Sequence, residues 1–129
     1  MKLHLGDCNE VMNTFKDNSI DMVLTSPPYD NLRNYGENFK GFSPEIWKPC
    51  LKHIYRILKQ GGVCVWVVND ETVNGSESGT SFRQALFAKD KCGFNLHDTM
   101  IYHKNNPMPN ESIRYQPCLS ICLFLVKTN

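Results

Sequence analysis

The chain has 129 residues, six cysteines and a formal net charge of +1 at pH 7. This length allows one hydrophobic core, so we expect a single domain over residues 1–129. No apolar run approaches the roughly 20 residues that a membrane-spanning helix needs, and the first residues lack the apolar stretch of a secretory signal. The near-neutral charge is not typical of a dedicated nucleic-acid-binding protein, so such a function must rest on motifs.

The cysteines show neither a C-x-x-C pair nor another zinc-like spacing: Cys8, Cys50, Cys64, Cys92, Cys118 and Cys122. Some lie in apolar surroundings such as Val63-Cys64-Val65, where a free thiol behaves as a small hydrophobic side chain. We therefore expect reduced cysteines in a cytoplasmic protein. The four histidines are scattered, and no metal site is predicted.

The first elements are predicted from alternation, capping and an apolar run. Leu3 and Leu5 alternate with polar residues and predict a short strand over residues 2–6. Asp7 is then placed to cap the first helix at its amino end. The apolar run that follows predicts a buried strand of a parallel sheet over residues 20–25.

A second helix is predicted to start at Ser43, with Pro44 at its first position. Its apolar residues fall on one stripe: Trp47, Leu51, Ile54, Tyr55 and Leu58. The pair Gly61-Gly62 is predicted to end this helix. Residues 63–68 then predict a second buried strand.

The rest of the chain predicts one more helix and two strands. The helix covers about residues 80–92, with three residues facing the core: Phe82, Ala85 and Leu86. The strands cover residues 94–103 and 118–126 and are joined by a proline-broken loop. The predicted fold is α/β, with a mostly parallel sheet and a C-terminal antiparallel hairpin.

The most informative motif, Thr25-Ser26-Pro27-Pro28-Tyr29, directly follows the apolar run Ile20 to Leu24 of the predicted strand. The two prolines end the strand and fix the backbone after it. A hydroxyl, a carbonyl-presenting turn and an aromatic ring are thus clustered at a carboxyl strand end, where ligands bind in open α/β sheets. A proline-rich ligand peptide is the alternative, but it would be expected in polar, disordered sequence.

On this motif and its strand, the chain resembles the S-adenosylmethionine-dependent amino-methyltransferases of DNA. Within them it resembles the permuted class, whose catalytic half precedes the cofactor-binding half. The resemblance implies part of a Rossmann-like three-layer sandwich. It also implies transfer of a methyl group to the exocyclic amino group of a flipped base in double-stranded DNA, as in restriction-modification systems. The serine-led motif is associated mainly with cytosine N4, which is preferred here over adenine N6.

The resemblance assigns the motif residues to catalysis. The Ser26 hydroxyl and the Pro27 carbonyl would accept hydrogen bonds from the reacting amino group and stabilise its developing charge. Pro28 would hold the turn rigid. Tyr29 would stack on the extruded base, because the nitrogen cannot be reached inside a duplex.

The resemblance also implies a cofactor site at Asp7 and Cys8. Asp7 would accept a hydrogen bond from the adenine amino group of S-adenosylmethionine, and the Cys8 amide would meet the adenine ring. Thr25 is assigned to the same site. The alternative is that Asp7 is only a helix cap, and both roles can hold together.

Further candidates lie in loops. Arg33, Tyr35 and Arg114 are candidates for contacts to DNA, against the alternative of solvated loop residues. Asn69 and Asp70 are candidates to line the pocket. A basic stretch is either a solvated helix face or a phosphate-contacting patch: Lys40, Lys48, Lys52, Arg56 and Lys59.

One part of the family pattern is absent, the glycine-rich F-x-G-x-G turn that holds the cofactor. Gly61-Gly62 precedes a strand, which is the reverse of the order that such a turn requires. In the family's sheet, two strands of the absent half would lie between residues 2–6 and 20–25, so the second segment would have an unpaired edge. We therefore expect a truncated product or one part of a split enzyme completed by a C-terminal half.

Two alternatives to the DNA methyltransferase stay open. The chain alone could be a non-catalytic fragment that binds no cofactor. It could also resemble Pro-Pro-Tyr enzymes that methylate RNA or protein, although these usually carry asparagine or aspartate in place of Ser26.

Overall fold

The structure is a computed structural model that describes residues 1–29, 41–105 and 119–128. A short π-helical turn, Ala88–Cys92, continues the last helix. The elements follow in chain order: α1 (Cys8–Asn13), β1 (Ile20–Thr25), α2 (Pro44–Ile57), β2 (Leu58–Val68), β3 (Thr72–Val73), β4 (Ser76–Glu77), α3 (Thr80–Phe87), β5 (Asn95–His103) and β6 (Leu119–Val126).

Four strands form one sheet in the order β1-β2-β6-β5, and β3 pairs with β4 in a separate ribbon. β1 and β2 are parallel, whereas β6 lies between β2 and β5 and is antiparallel to both. Three strands of the sheet therefore run in one direction and β6 runs in the other. This confirms the predicted α/β class, with the last two strands forming an antiparallel pair.

The core lies between α2 and one face of this sheet. Trp47, Leu51 and Ile54 are buried, as the apolar stripe predicts. Full burial of a leucine such as Leu51 contributes about 1.5–3 kcal/mol. Alternate residues of β2 and β6 enter the same core, because successive side chains of a strand point to opposite faces: Cys64, Trp66, Val68, Leu123 and Leu125.

Helix α3 packs into the same core, but with a different face from the predicted one. Ala85 is buried as predicted, whereas Phe82 and Leu86 are 61% and 57% exposed. A buried indole N–H requires an acceptor, and the Trp66 Nε1 donates to the Gln84 Oε1 at 2.9 Å. The prediction that Phe82 and Leu86 face the core is therefore wrong, because α3 turns its Gln84 side inward.

Helix α2 ends before the glycine pair. Its last residue is Ile57, and Leu58 already has extended dihedral angles as the first residue of β2. Gly61 has a φ of +75°, and a Cβ on Gly62 would lie 2.8 Å from the Lys59 carbonyl oxygen. The prediction that Gly61-Gly62 ends the helix is wrong, since the pair instead lies within β2 where its register with β1 shifts.

Residues 1–5 form no strand, so the predicted strand over residues 2–6 is wrong. Leu3 and Leu5 are exposed to solvent. In the described sheet, β1 is the edge strand and pairs only with β2. An extended segment without a neighbouring strand leaves its backbone groups without partners, so the alternation of leucines is not sufficient to form one.

The helices of the described chain cover one face of the sheet. α2 and α3 pack on the face that carries Cys64 and Trp66, and Met12 of α1 packs against the same cluster. Met22 and Leu24 of β1 point to the opposite face and are exposed. The described residues therefore supply two layers of the predicted three-layer sandwich.

A buried lysine joins the end of β6 to the start of β1 and β2. The Lys127 ammonium donates to the Asn18 Oδ1 at 2.8 Å and to the Leu58 carbonyl at 2.9 Å. It also lies 4.8 Å from the centre of the Tyr55 ring. Since a buried charge is costly unless its hydrogen bonds are made, these acceptors stabilise the ammonium in the core.

We predict that Lys127→Met lowers the free energy of unfolding by about 1–3 kcal/mol, because the Leu58 carbonyl and the Asn18 amide lose their buried donor. Urea denaturation followed by tryptophan fluorescence measures the change. Lys89→Met, at an exposed position, serves as the control. Equal stability of the two variants would contradict a stabilising role for Lys127.

Candidate active site

The candidate site lies at the carboxyl end of β1. At the other end of this strand, the Ser19 N–H donates to the Ile57 carbonyl in the last turn of α2 at 2.8 Å. α2 crosses back between two parallel strands, so it begins at the carboxyl end of β1. Its first residue Pro44, the β1 end at Thr25 and the β2 end at Val68 therefore lie at one edge of the sheet.

Helix α1 brings Asp7 to the same edge because it runs alongside α2 in the same direction. Near its start, the Asn9 Nδ2 donates to the Ile46 carbonyl in the first turn of α2 at 3.3 Å. At its end, the Arg56 guanidinium from the last turn of α2 donates to the Met12 carbonyl at 2.8 Å. The structure thus brings the two predicted constellations, around Asp7 and around the proline motif, to one end of the sheet.

The proline motif presents its hydroxyl to solvent. β1 ends at Thr25, Ser26 is exposed, Pro27 is buried, and Pro28 and Tyr29 are half-buried. The Ser26 Oγ and the Tyr29 Oη share a hydrogen bond of 2.5 Å. A buried proline therefore anchors the turn, while the two polar groups that flank the prolines meet at its accessible side.

Asp7 caps α1, as predicted. Its Oδ1 accepts from the backbone N–H groups of Asn9 at 2.8 Å and Glu10 at 3.4 Å. Cys8 follows as the exposed first residue of the helix, where a backbone N–H has no acceptor within the helix. The Asn9 Oδ1 is buried without a hydrogen-bond partner in the described part of the chain. An exposed carboxylate and the amide N–H of the next residue are therefore adjacent at the start of α1, with the unpaired Asn9 Oδ1 buried behind them.

The described cysteines are free thiols, as expected. Burial and the neighbouring Cys8 thiol raise the pKa of Cys50. Burial also raises the pKa of Cys64 to about 12 and that of Cys92 to about 11. These three side chains are therefore protonated at neutral pH and pack as small apolar groups.

Asp70 has a structural role that the sequence reasoning missed. Its Oδ1 accepts from the Ser81 N–H at 2.8 Å and from the Ser78 hydroxyl at 3.1 Å, and its Oδ2 accepts from the Ser81 hydroxyl. The residue before α3 is Gly79, which has no side chain to cap the helix. Asp70 therefore caps α3 although it is not adjacent to the helix in sequence. The role of Asn69 in lining the pocket stays a prediction.

The basic stretch divides into residues with different partners. Arg56 pairs with Asp17 at 2.5 Å and Lys59 pairs with Asp21 at 2.7 Å, both at the amino end of β1 and away from the proline motif. These two residues therefore serve the fold rather than the candidate site. Lys48 and Lys52 lie on α2, and their ammonium groups are about 6 Å from the centre of the Phe87 ring.

Several predicted contacts fall outside the described residues: Arg33, Tyr35, Lys40 and Arg114. Within the residues that the structure describes, no group of three or more histidine, cysteine or acidic side chains could hold a metal ion. None of the described helices is long and apolar enough to cross a membrane.

The sequence of this chain resembles those of known DNA methylases. Residues 20–129 match the N6/N4 methyltransferase family, described as DNA methylase. The chain is 48% identical over 117 residues to the orphan methyltransferase M.BamHII of Bacillus amyloliquefaciens. That match covers 90% of this chain and 38% of the relative.

Solved structures share the fold. The PvuII DNA methyltransferase, named as cytosine-N4-specific, aligns with a TM-score of 0.78 at 23% identity and covers 97% of this chain and 48% of its own. A second structure is TTHA0409 from Thermus thermophilus, named as a putative DNA modification methylase, in complex with S-adenosyl-L-methionine. It aligns with a TM-score of 0.73 at 23% identity, over 98% of this chain and 55% of its own. The chain thus spans about half the length of these structures, and it belongs to the N6/N4 family of DNA methylases.

Proposed function

We propose that this chain is the catalytic part of an enzyme that methylates an exocyclic amino group of a flipped base in double-stranded DNA. Cytosine N4 is the preferred target over adenine N6, and S-adenosylmethionine is the methyl donor. The observation that carries the proposal is the accessible Ser26 hydroxyl beside Tyr29 at the carboxyl end of β1. The cytosine preference is supported by the serine that leads the motif.

The chemistry requires hydrogen-bond acceptors for the reacting amino group. The nitrogen lone pair is delocalised into the base, and acceptors at its hydrogens favour a pyramidal, more nucleophilic nitrogen. We assign these acceptors to the Ser26 Oγ and the Pro27 carbonyl, which the buried proline ring holds in place. Serine is a weak base at neutral pH, so its role is positioning, and the proton leaves during or after methyl transfer.

Tyr29 is assigned to stacking on the flipped base. Its hydroxyl is bonded to the Ser26 Oγ, which places the ring beside the acceptor that the amino group must reach. An aromatic ring stacked on a base contributes about 1–3 kcal/mol, which offsets part of the cost of unpairing the base.

The described residues fit one end of the cofactor. Asp7 and the Cys8 N–H, at the start of α1, would hold the adenine ring. Thr25 is assigned to the same site. S-adenosylmethionine, when bound, supplies an electrophilic sulfonium methyl. A glycine-rich turn for its methionine part does not occur in the sequence.

We infer that a complementing half of the permuted, beta-type enzyme carries that turn. The support is that residues 1–25, which precede the motif, contain no F-x-G-x-G pattern, and that the relatives are much longer than this chain. Residues 1–129 are then one truncated domain. If no such half binds, the alternative applies, and the chain alone is a non-catalytic fragment.

Contacts to DNA beyond the flipped base are assigned to three residues outside the described part of the chain. Arg33 and Tyr35 follow the motif, and Arg114 lies in the segment between β5 and β6, so all three are placed in sequence near the carboxyl strand ends. Guanidinium and phenol groups contact phosphates and bases in many protein–DNA interfaces.

The direct test is methyl transfer to unmethylated DNA. The chain, alone and together with a complementing half, is incubated with labelled S-adenosylmethionine, and the DNA is digested to nucleosides for mass analysis. N4-methylcytosine or N6-methyladenine is the expected product of the complete assembly. Methylation of RNA or protein instead of DNA would overturn the proposal.

In the complete assembly, Ser26→Ala is expected to lower kcat about 100-fold to 1,000-fold, because one acceptor of the transition-state charge is lost. The affinity for S-adenosylmethionine, measured by calorimetry, stays close to that of the wild type. Equal losses in kcat and cofactor affinity would show that Ser26 is structural.

Two variants separate the ring of Tyr29 from its hydroxyl. Tyr29→Ala is expected to weaken DNA binding by about 1–3 kcal/mol because stacking is lost, whereas Tyr29→Phe keeps the ring and binds DNA nearly as the wild type does. Fluorescence anisotropy with a duplex that contains the target base measures both. Unchanged binding of the alanine variant would argue against stacking.

Asp7→Ser and Asp7→Ala separate helix capping from cofactor contact. Serine caps a helix about as well as aspartate, whereas alanine costs about 1 kcal/mol of stability. Both variants are expected to lose affinity for S-adenosylmethionine, since neither retains the carboxylate. Wild-type cofactor affinity of Asp7→Ser would leave Asp7 as a cap only.

A further inference from the structure

Strand β5 ends at the edge of the sheet that carries the proline motif, and it projects beyond that edge. Ile101 of β5 and Val68 of β2 both pair with Ile121 of β6, so these two residues are level across the sheet. β5 continues for two more residues to His103, which adds about 7 Å at the usual rise of a strand. The half-buried Lys104 follows and therefore lies past the carboxyl end of β2.

The distance across the sheet from this lysine to the proline motif suits a DNA duplex. β5 is three strand positions from β1 in the order β1-β2-β6-β5. Neighbouring strands are about 4.8 Å apart, so the two strands are separated by about 14 Å. Each base pair adds about 3.4 Å along a duplex, so this separation corresponds to roughly four base pairs.

A second cation, Arg83, lies at the same edge in the first turn of α3. The Asp70 carboxylate follows β2 by two residues and accepts from the Ser81 N–H at 2.8 Å, which places the start of α3 beside the carboxyl end of β2. Arg83 is exposed, and its Nη1 donates to the Ser78 carbonyl. A guanidinium has five N–H donors, so this one bond leaves donors for an anion.

Carboxylates do not neutralise these two cations. Within the part of the chain that the structure describes, the ion pairs of lysine and arginine lie at the amino end of β1 and involve neither Arg83 nor Lys104. The acidic side chains near the carboxyl end of β2 have other partners, since Asp70 caps α3 and both Glu71 and Glu77 are engaged in contacts. Because the net charge of the chain is only +1, attraction of DNA depends on where such cations lie.

We propose that Arg83 and Lys104 bind phosphates of the DNA duplex on the side of the flipped base that lies over β2, β6 and β5. The inference rests on the proposed function, because the flipped base at Ser26 sets the position of the duplex. Arginine binds a phosphate through two parallel N–H groups, and lysine binds it as a point charge. Phosphate contacts fix the register of a duplex without reading its sequence, so these two residues position the DNA.

The test measures binding of the full 129-residue chain to a fluorescent duplex by anisotropy at several salt concentrations. The double variant Arg83→Gln/Lys104→Gln is expected to weaken binding about tenfold and to reduce the slope of log K against log salt by about two, because two phosphate contacts are lost. Lys89→Gln/Lys91→Gln is the matched control and is expected to bind nearly as the wild type does. It removes the same charge at exposed positions in the turn that precedes the amino end of β5.

A conservative variant separates the loss of charge from a loss of folding. Lys104→Arg keeps the charge and is expected to retain the salt slope of the wild type. A slope that falls as much in Lys104→Arg as in Lys104→Gln would show that the lysine acts through the fold, and this result would overturn its contact with phosphate.

The outcomes separate these phosphate contacts from the proposed function. Equal weakening by the two double variants, or a wild-type chain that binds no duplex, would overturn the contacts. An unchanged salt slope in Arg83→Gln/Lys104→Gln would also overturn them, and methylation of DNA by the complete assembly would then leave the function standing. The expected change in slope without any methylation of DNA would support the contacts and count against the function.

Discussion

The parallel pairing of β1 with β2 is the constraint on which the rest of the structure depends. Parallel strands need a crossover connection, and α2 provides it by burying its apolar stripe against the sheet. The amino and carboxyl ends of β1 therefore have different roles. At the amino end of β1, Arg56 and Lys127 tie α1 and β6 to α2. At the carboxyl end, Ser26 and Asp7 are left accessible.

Elements with strong periodicity could be predicted from the sequence, whereas those that depend on distant partners could not. The stripe of α2 and the strands of the sheet follow from apolar spacing. The face that α3 turns toward the core could not be predicted from spacing, because it depends on Gln84 as the acceptor for the Trp66 indole N–H. Leu3 and Leu5 have a strand pattern, but a strand also requires a neighbour. Gly61 adopts a positive φ inside β2 rather than a helix end.

The candidate site was predictable where the residues are adjacent in sequence. Ser26 and Tyr29 belong to one motif, and the hydrogen bond between them follows from three-residue spacing across a rigid turn. Asp7 was predicted as a cap from its position before the helix. Asp70 was not, because it bonds to Ser81, eleven residues further along the chain, and no local pattern indicates such a partner.

The position of β6 has a consequence for the order in which the chain can fold during synthesis. β6 follows the other strands of the described sheet in sequence, yet it lies between β2 and β5, so β5 has no partner in this sheet until β6 is made. Lys127 then closes a contact with Asn18, 109 residues earlier. Contacts of such separation slow folding. The nascent chain therefore leaves β5 and one edge of β2 unpaired until translation has passed residue 127.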